Sequence, residues 1–367
     1  MRRQSGFSMI ELMVAITLAL VVSGALMSVF MGSRSAYQAT SGTAALTDGG
    51  RIALDFISQS VRNAGYMSCA TAARTTSNLN AGASPLLNDV TWMLAGFEAA
   101  GTAPGAALPL PARPAIIDNN IGDWLAGFEA GGLDPAVVGP TNASPPVKGS
   151  DILAVTSAVP NSSPVNVTVI NPGATNFTVD APGNLAAGQL AVISDCLNAL
   201  AFQVTSVAGT TVNHIGGANA AGAFPVSVTP GVGAFVMPVT TRVYYIGVGV
   251  DGDGALFAYD TNGGVAFTPI ELVDDIENMQ LLYGIDTNPP SLTVASYVTA
   301  DQVPSWNNVL NVRVALLAAS PSNTTTVPAV APTFNLLGTN VTAPKDTRSR
   351  RVLTMDITVR NAVVTNN

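Results

Sequence analysis

The sequence predicts an α+β protein in which one long N-terminal helix packs on a mostly antiparallel β-sheet domain. Three observations carry that reading. No proline occurs before Pro85 in a chain of 367 residues that holds 24 of them, so a helix can run unbroken from near the N-terminus. Residues 12–31 carry no charge, and some twenty mostly apolar residues in a helix cross the roughly 30 Å hydrocarbon core of a membrane. Beyond Asp151 the chain becomes a series of short β-branched runs separated by turn signals, and a long helix followed by a run of strands is an α+β order.

The helix opens on an anomaly. Glu11 lies in an otherwise uncharged apolar run, directly after Gly6-Phe7-Ser8-Met9-Ile10. An ionised carboxylate at membrane depth costs a few kcal/mol or more unless it meets a partner, so an acid there marks function. Upstream, Met1-Arg2-Arg3-Gln4-Ser5-Gly6 is short and basic. Cleavage after Gly6 would make Phe7 the new N-terminus, with Glu11 fifth in the chain and a free ammonium at hand to neutralise it. An ordinary secretory signal is cut behind its apolar region, which is lost; here the apolar run follows the glycine and would be kept. Gly6-Phe7-Ser8-Met9-Ile10-Glu11-Leu12-Met13 resembles the type III signal of type IV pilins and pseudopilins. That resemblance implies a prepilin peptidase that cuts between Gly6 and Phe7 and N-methylates Phe7. The alternative is a plain signal anchor with an incidental glutamate.

This divides the N-terminal region into a leader (1–6), a transmembrane half of the helix (7–31) and an amphipathic half (32–65). In the second half Leu46, Ile52, Ala53, Phe56, Ile57 and Val61 recur at helical spacing, with Asp48, Arg51, Asp55, Gln59 and Arg62 between them. That stripe requires a sheet to cover it. Asn63-Ala64-Gly65 is the expected stop, with glycine supplying the left-handed residue. Gly24, Gly32, Gly42 and the Gly49-Gly50 pair are expected places for the helix to bend or loosen.

Composition excludes several classes. The net charge is −8, and about −10 without Arg2 and Arg3, with only 10% charged residues, 34 Gly and much Thr, Ser and Asn. This describes an extracytoplasmic β-rich domain, and no basic stripe exists to follow nucleic-acid phosphates. The two cysteines, Cys69 and Cys196, would form one disulfide in an oxidising periplasm, closing a loop of about 127 residues. In the chain-entropy account such a loop is worth about 5 kcal/mol. The alternative is two free thiols.

Residues 66–149 read as an Ala/Gly/Pro-rich insertion with a short repeat: Leu94-Ala95-Gly96-Phe97-Glu98-Ala99 recurs as Leu125-Ala126-Gly127-Phe128-Glu129-Ala130, with Trp92 and Trp124 just ahead of the copies. Two copies do not make a solenoid, so a duplicated loop pinned by its aromatics is expected, with a partner-contacting surface as the functional alternative. Residues 150–367 form the β-rich domain. Strands are expected at 151–155, 165–170, 177–179, 190–194, 201–207, 241–249, 255–259, 279–284, 309–317 and 352–359. Residues 271–277 are expected as a helical turn or a strand lead-in whose acids form a solvated face.

Beyond the leader, an ordered series of short stretches resembles PilW-type minor pilins of the type IV pilus. They are Gly50-Arg51-Ile52-Ala53-Leu54-Asp55 leading to Arg62-Asn63-Ala64-Gly65-Tyr66 and Cys69; Gly149-Ser150-Asp151-Ile152-Leu153-Ala154-Val155; and Ile193-Ser194-Asp195-Cys196 with Ala201-Phe202-Gln203-Val204-Thr205. Val273-Asp274-Asp275-Ile276-Glu277-Asn278-Met279-Gln280, Tyr283-Gly284-Ile285-Asp286, Trp306, Val312-Arg313-Val314-Ala315-Leu316 and Thr358-Val359-Arg360-Asn361 continue it. The resemblance implies a pilin-like fold and a single-pass protein of the bacterial inner membrane with a periplasmic C-terminal domain. Such a protein later joins the filament or its tip, as part of a minor-pilin complex that primes or caps the pilus. Implied partners are the prepilin peptidase, other minor pilins, the major pilin and a pilus-tip adhesin. Alternatives are a minor pseudopilin of a type II secretion system and a membrane-anchored adhesive protein that does not polymerise.

No catalytic residue, metal site or cofactor is expected. The chain has one histidine, His214, so no multi-histidine metal site can form. Cys196 beside Asp195 is better explained by pairing with Cys69 than as a nucleophile. Gly247-Val248-Gly249-Val250-Asp251-Gly252 fits G-x-G-x-x-G, but a strand and not a helix follows it. Asp251-Gly252-Asp253-Gly254 starts no calcium loop, because the fifth, sixth and twelfth positions would be Ala255, Leu256 and Asn262; a hairpin turn is expected instead.

Overall fold

The computed structural model describes residues 8–67, 75–80, 90–112, 124–125, 144–170, 175–196, 198–220, 233–261, 269–289, 291–321, 324–328 and 330–362. Gly6, Phe7, Cys69 and the second repeat copy beyond Leu125 lie outside them. One helix, α1 (Met9–Asn63), runs 55 residues without a break, about 80 Å at ~1.5 Å per residue. The stop falls where the sequence places it: Ala64 N–H donates to Val61 O at 3.2 Å, and Gly65 turns the chain at φ +71°.

The strands follow in chain order. The first group is β1 (Thr75–Ser77), β2 (Leu94–Ala99), β3 (Ala107–Pro109), β4 (Trp124–Leu125), β5 (Ile152–Ala158), β6 (Val165–Ile170) and β7 (Asn176–Val179). Next come β8 (Leu190–Ser194), β9 (Ala199–Gln203), β10 (Ser206–Ala208), β11 (Thr211–Asn213), β12 (Phe235–Val248), β13 (Gly254–Thr261) and β14 (Ile270–Val273). The last are β15 (Ile276–Ile285), β16 (Ser296–Val298), β17 (Val309–Ala319), β18 (Thr333–Leu336), β19 (Thr339–Thr342) and β20 (Arg350–Thr358).

Among the described residues, pairing is antiparallel except for β1 with β9 and β19 with β3. The large sheet is organised on β12, whose first half pairs with β8 and whose second half lies between β5 and β13. A second sheet has the order β16-β15-β17-β20, and a small third sheet the order β18-β19-β3. Strand β17 shows why its apolar run is nearly continuous. Val312, Val314, Leu316 and Ala318 enter the same core as α1, whereas Ala315 and Leu317 pack against Leu336 and Val341 of the small sheet. A strand buried on both faces needs apolar residues at every position.

Several expectations change. The helix does not loosen at Gly49-Gly50. A Cβ at Gly50 would lie 2.6 Å from Leu353 Cδ1 and 3.4 Å from Ala318 Cβ, so this glycine permits close approach to β20 and β17. The first repeat copy is not a loop: it is β2, buried along its whole length and paired with β5 and β4. Its mix of Gly, Glu and Ala hides the strand from a propensity reading, since burial and pairing decide β structure more than composition does. The run 201–207 divides into β9 and β10, because Val204 and Thr205 turn their amides to Gln189 O and Asn213 O. The 249–254 hairpin has a wider loop than a two-residue turn, closed by Gly249 N–H to Asp253 O at 2.8 Å with Gly252 at φ +81°.

Candidate assembly interface

At its start α1 is capped by its own sequence. Ser8 Oγ accepts the Ile10 amide at 3.3 Å, and Glu11 Oε2 accepts the Ser8 amide at 3.0 Å. This is the reciprocal Ser-x-x-Glu capping box, and it places the carboxylate at the positive end of the helix. Glu11 therefore satisfies an orphan backbone donor of its own chain before any partner arrives. The signal was readable in the sequence from the Ser8-Glu11 spacing alone.

From there to Ser41 the helix is almost wholly exposed. An 18-residue window with a mean hydropathy of 2.4 has none of its residues buried, and Met9, Leu20, Val21 and Val29 all stand open. Within this stretch Thr17, Ser28 and Thr40 turn their hydroxyls back onto carbonyls three or four residues earlier, as Thr43 and Thr47 do just beyond it. These hydroxyls are thereby satisfied within the helix itself and need no partner from an apolar environment.

The character changes at Gly42. Gly42, Leu46, Gly50, Ala53, Leu54, Ile57, Ser58 and Val61 are buried, and the helix lies against β20, β17, β14 and β5. Ile52 and Phe56, expected in the buried stripe, remain partly exposed beside it, since the two glycines and Leu54 bring the helix down on a face rotated away from them. Polar contacts fix the far end. Ser60 Oγ and Tyr244 Oη are 2.6 Å apart, Tyr244 Oη also donates to Phe56 O at 3.3 Å, and Asn361 Nδ2 donates to Ala64 O at 3.0 Å. Burial pushes the Tyr244 phenol above its ordinary range, so it stays a neutral donor.

The remaining candidates fall away from this interface. Cys196 follows β8 at φ +68°, with its amide on Ser194 Oγ at 3.0 Å. Cys69 lies outside the described residues. His214 is buried in an aromatic cluster, stacked on Phe177 and edge-on to Phe202 with centroids 6.3 Å away in each case. Gly247 and Gly249 belong to the β12–β13 hairpin. Among the described residues no group of three or more His, Cys, Asp or Glu could hold a metal ion.

The acids of 271–277 are not simply solvated. Glu277 receives the Arg350 guanidinium at 2.6 and 2.9 Å, and Arg348 pairs with Asp275 and, at 3.1 Å, with Asp253. Asp346 completes the group by bonding Arg350 at 2.6 and 2.7 Å. These pairs tie β20 to the β12–β13 loop and the β14–β15 turn. Sequence reasoning missed them because, Asp346 apart, the arginines lie 73 to 95 residues from their partners.

A long apolar helix, free over its first part and docked by its second on an antiparallel β domain, defines a pilin-like protein. Residues 243–361 match the family of Type IV Pilus-assembly protein W, and residues 1–27 match the Prokaryotic N-terminal methylation motif. The first match spans β12's second half through β20; the similar stretches at 50–69, 149–155 and 193–205 lie outside it. No curated protein and no solved structure matches the chain. Together these findings support, at the level of the family, a minor pilin related to the type IV pilus, anchored in a membrane by its N-terminal helix. Pilin-type families are structural and not enzymatic.

Proposed function

We propose that this chain is a minor pilin that joins other minor pilins in a complex priming or capping the type IV pilus. In this reading the prepilin peptidase removes residues 1–6 and methylates Phe7. The domain beyond α1 lies in the periplasm, closed by a Cys69–Cys196 disulfide, and the free half of α1 moves from lipid into a bundle with neighbouring pilins. The chain acts by binding and carries out no catalysis of its own. The observation that carries the proposal is the exposed, capped, mostly apolar first half of α1, continuous with a second half that alone is gripped by the β domain.

Within a bundle, the Phe7 ammonium of the same or a neighbouring subunit would meet Glu11. A buried ion pair adds little net stability, but removing one partner leaves a charge unpaired at a cost of about 3–5 kcal/mol. The contact therefore acts as a test of register and admission. Gly6→Ala is expected to block processing, read as an unshifted band on a gel. Glu11→Ala is expected to be processed yet to lose piliation and capture of other pilins. Glu11→Gln keeps an oxygen for the Ser8 amide while removing the charge, and should fail like Glu11→Ala. Normal piliation by both Glu11 variants would overturn the admission role.

A further inference from the structure

The first Leu-Ala-Gly-Phe-Glu-Ala copy has a second property that pilus assembly does not use. Along β2, alternate side chains serve different cores: Ala95, Phe97 and Ala99 join Trp92, Trp124 and Tyr245, while Leu94 enters the core that holds α1. Gly96, on the Leu94 side, is the seat for Tyr283 of β15 and Trp306, both of which press where a Cβ would be. Two residues on, Glu98 is also buried.

Around Glu98 the charges are of one sign. Asp151, at the entry to β5, is buried and stitches the two large sheets together, its Oδ1 accepting Ala99 N–H of β2 at 2.9 Å and its Oδ2 accepting Leu281 N–H of β15 at 2.7 Å. Asp301, in the short helical turn Ala300–Gln302, adds a third carboxylate, and Tyr283 faces the group from β15. Thr102 Oγ donates to Glu98 Oε1 at 3.2 Å; Glu98 Oε2 and Tyr283 Oη have no hydrogen-bond partner among the described residues. No cation is among the groups acting on either buried acid, and no metal cluster occurs among the described residues. Without a cation, a buried carboxylate is held by hydrogen-bond donors or by a proton, and Glu98 has weaker donors than Asp151.

We propose that Glu98 and Asp151 form a proton-dependent latch between the two large sheets: closed while Glu98 is neutral, loosened when it ionises beside Asp151. The order of ionisation follows from the donors. Asp151 has two backbone amides that favour its charged form, so it gives up its proton first, and Glu98, which Asp151 and Asp301 repel and which the Thr102 hydroxyl and the Ala300 amide favour less, keeps its own proton longer.

Burial, with Asp151 and Asp301 adding to it, pushes Glu98 up to about 9, and burial pushes Asp151 up to about 7. Both values lie above those of the unfolded chain. The stability these groups provide is therefore complete below about pH 4 and is lost as pH rises toward about 9.

The test is thermal unfolding of the full chain in detergent micelles from pH 5 to pH 9. The wild type is expected to lose about 5 °C or more of its midpoint across that range. Glu98→Gln, which keeps the acceptor for Thr102, should remove most of that loss, and amide exchange over 94–99 at pH 8 should slow relative to wild type. Should Glu98→Gln fail to fold, Asp301→Asn at the exposed rim decides, because it withdraws one repelling charge without entering the core and should lessen the loss. A wild-type midpoint independent of pH, or variants that fall in parallel with it, would overturn the latch.

Discussion

The two halves of α1 are one continuous helix, yet they obey different solvents. From Met9 to Ser41 the residues are mostly apolar and exposed on all sides; from Gly42 onward a buried residue recurs every three or four positions, with Asp48, Arg51, Asp55 and Arg62 outside the stripe. A helix that is apolar all round requires lipid or other helices, whereas a striped helix requires one sheet. The β domain meets only the second requirement. What covers the first half must come from outside the β domain; in the proposed role that is the membrane and then other subunits.

The sharpest way to break this contrast is a pair of truncations. Ile57→Ala, at a fully buried position in the docked half, is expected to cost about 2–5 kcal/mol and to lower the unfolding midpoint. Val21→Ala in the free half should move that midpoint within about 0.5 kcal/mol and show its effect only in piliation. A large loss of midpoint from Val21→Ala would mean that the free half is held by the domain after all.

Glycines give a second contrast, with opposite signs. Gly50→Ala sets a methyl group against Leu353, and overpacking of about 1–3 kcal/mol outweighs a helix-propensity gain of at most about 1 kcal/mol. Gly24→Ala meets nothing within 4 Å and should only firm the helix, read as unchanged or higher helicity by circular dichroism. At the docked end a smaller loss than that of Ile57→Ala is expected from Tyr244→Phe. It removes the bonds to Ser60 and Phe56 O at the docked end and should cost about 1 kcal/mol in chemical denaturation.

The parts of the fold written in local pattern were legible. The helix showed in its lack of proline and its spacing, its stop at Gly65 in one residue type, and most strands of the last two hundred residues in β-branched runs. Strand β2 was not legible, because Gly96 and Glu98 occupy strand positions for reasons that lie in Tyr283, Trp306 and Asp151. The small sheet β18-β19-β3 was missed for the same reason, since β3 comes from a segment more than 200 residues earlier. At the interface, Glu11 was conspicuous as a charge in an apolar run, and its three-residue spacing from Ser8 already carried the capping-box signal.

The sequence alone determined that the chain begins with a membrane-length helix carrying one acid, and that a β domain follows. Both properties reside in consecutive residues, where hydropathy, periodicity and turn chemistry act over a few positions. Tertiary structure decided where the helix stops being free, that Gly50 is a contact and not a hinge, and that Glu98 and Asp151 share a buried seam. Those outcomes depend on which side chains distant segments bring within a few ångströms, and packing and desolvation at that range leave no mark in local pattern.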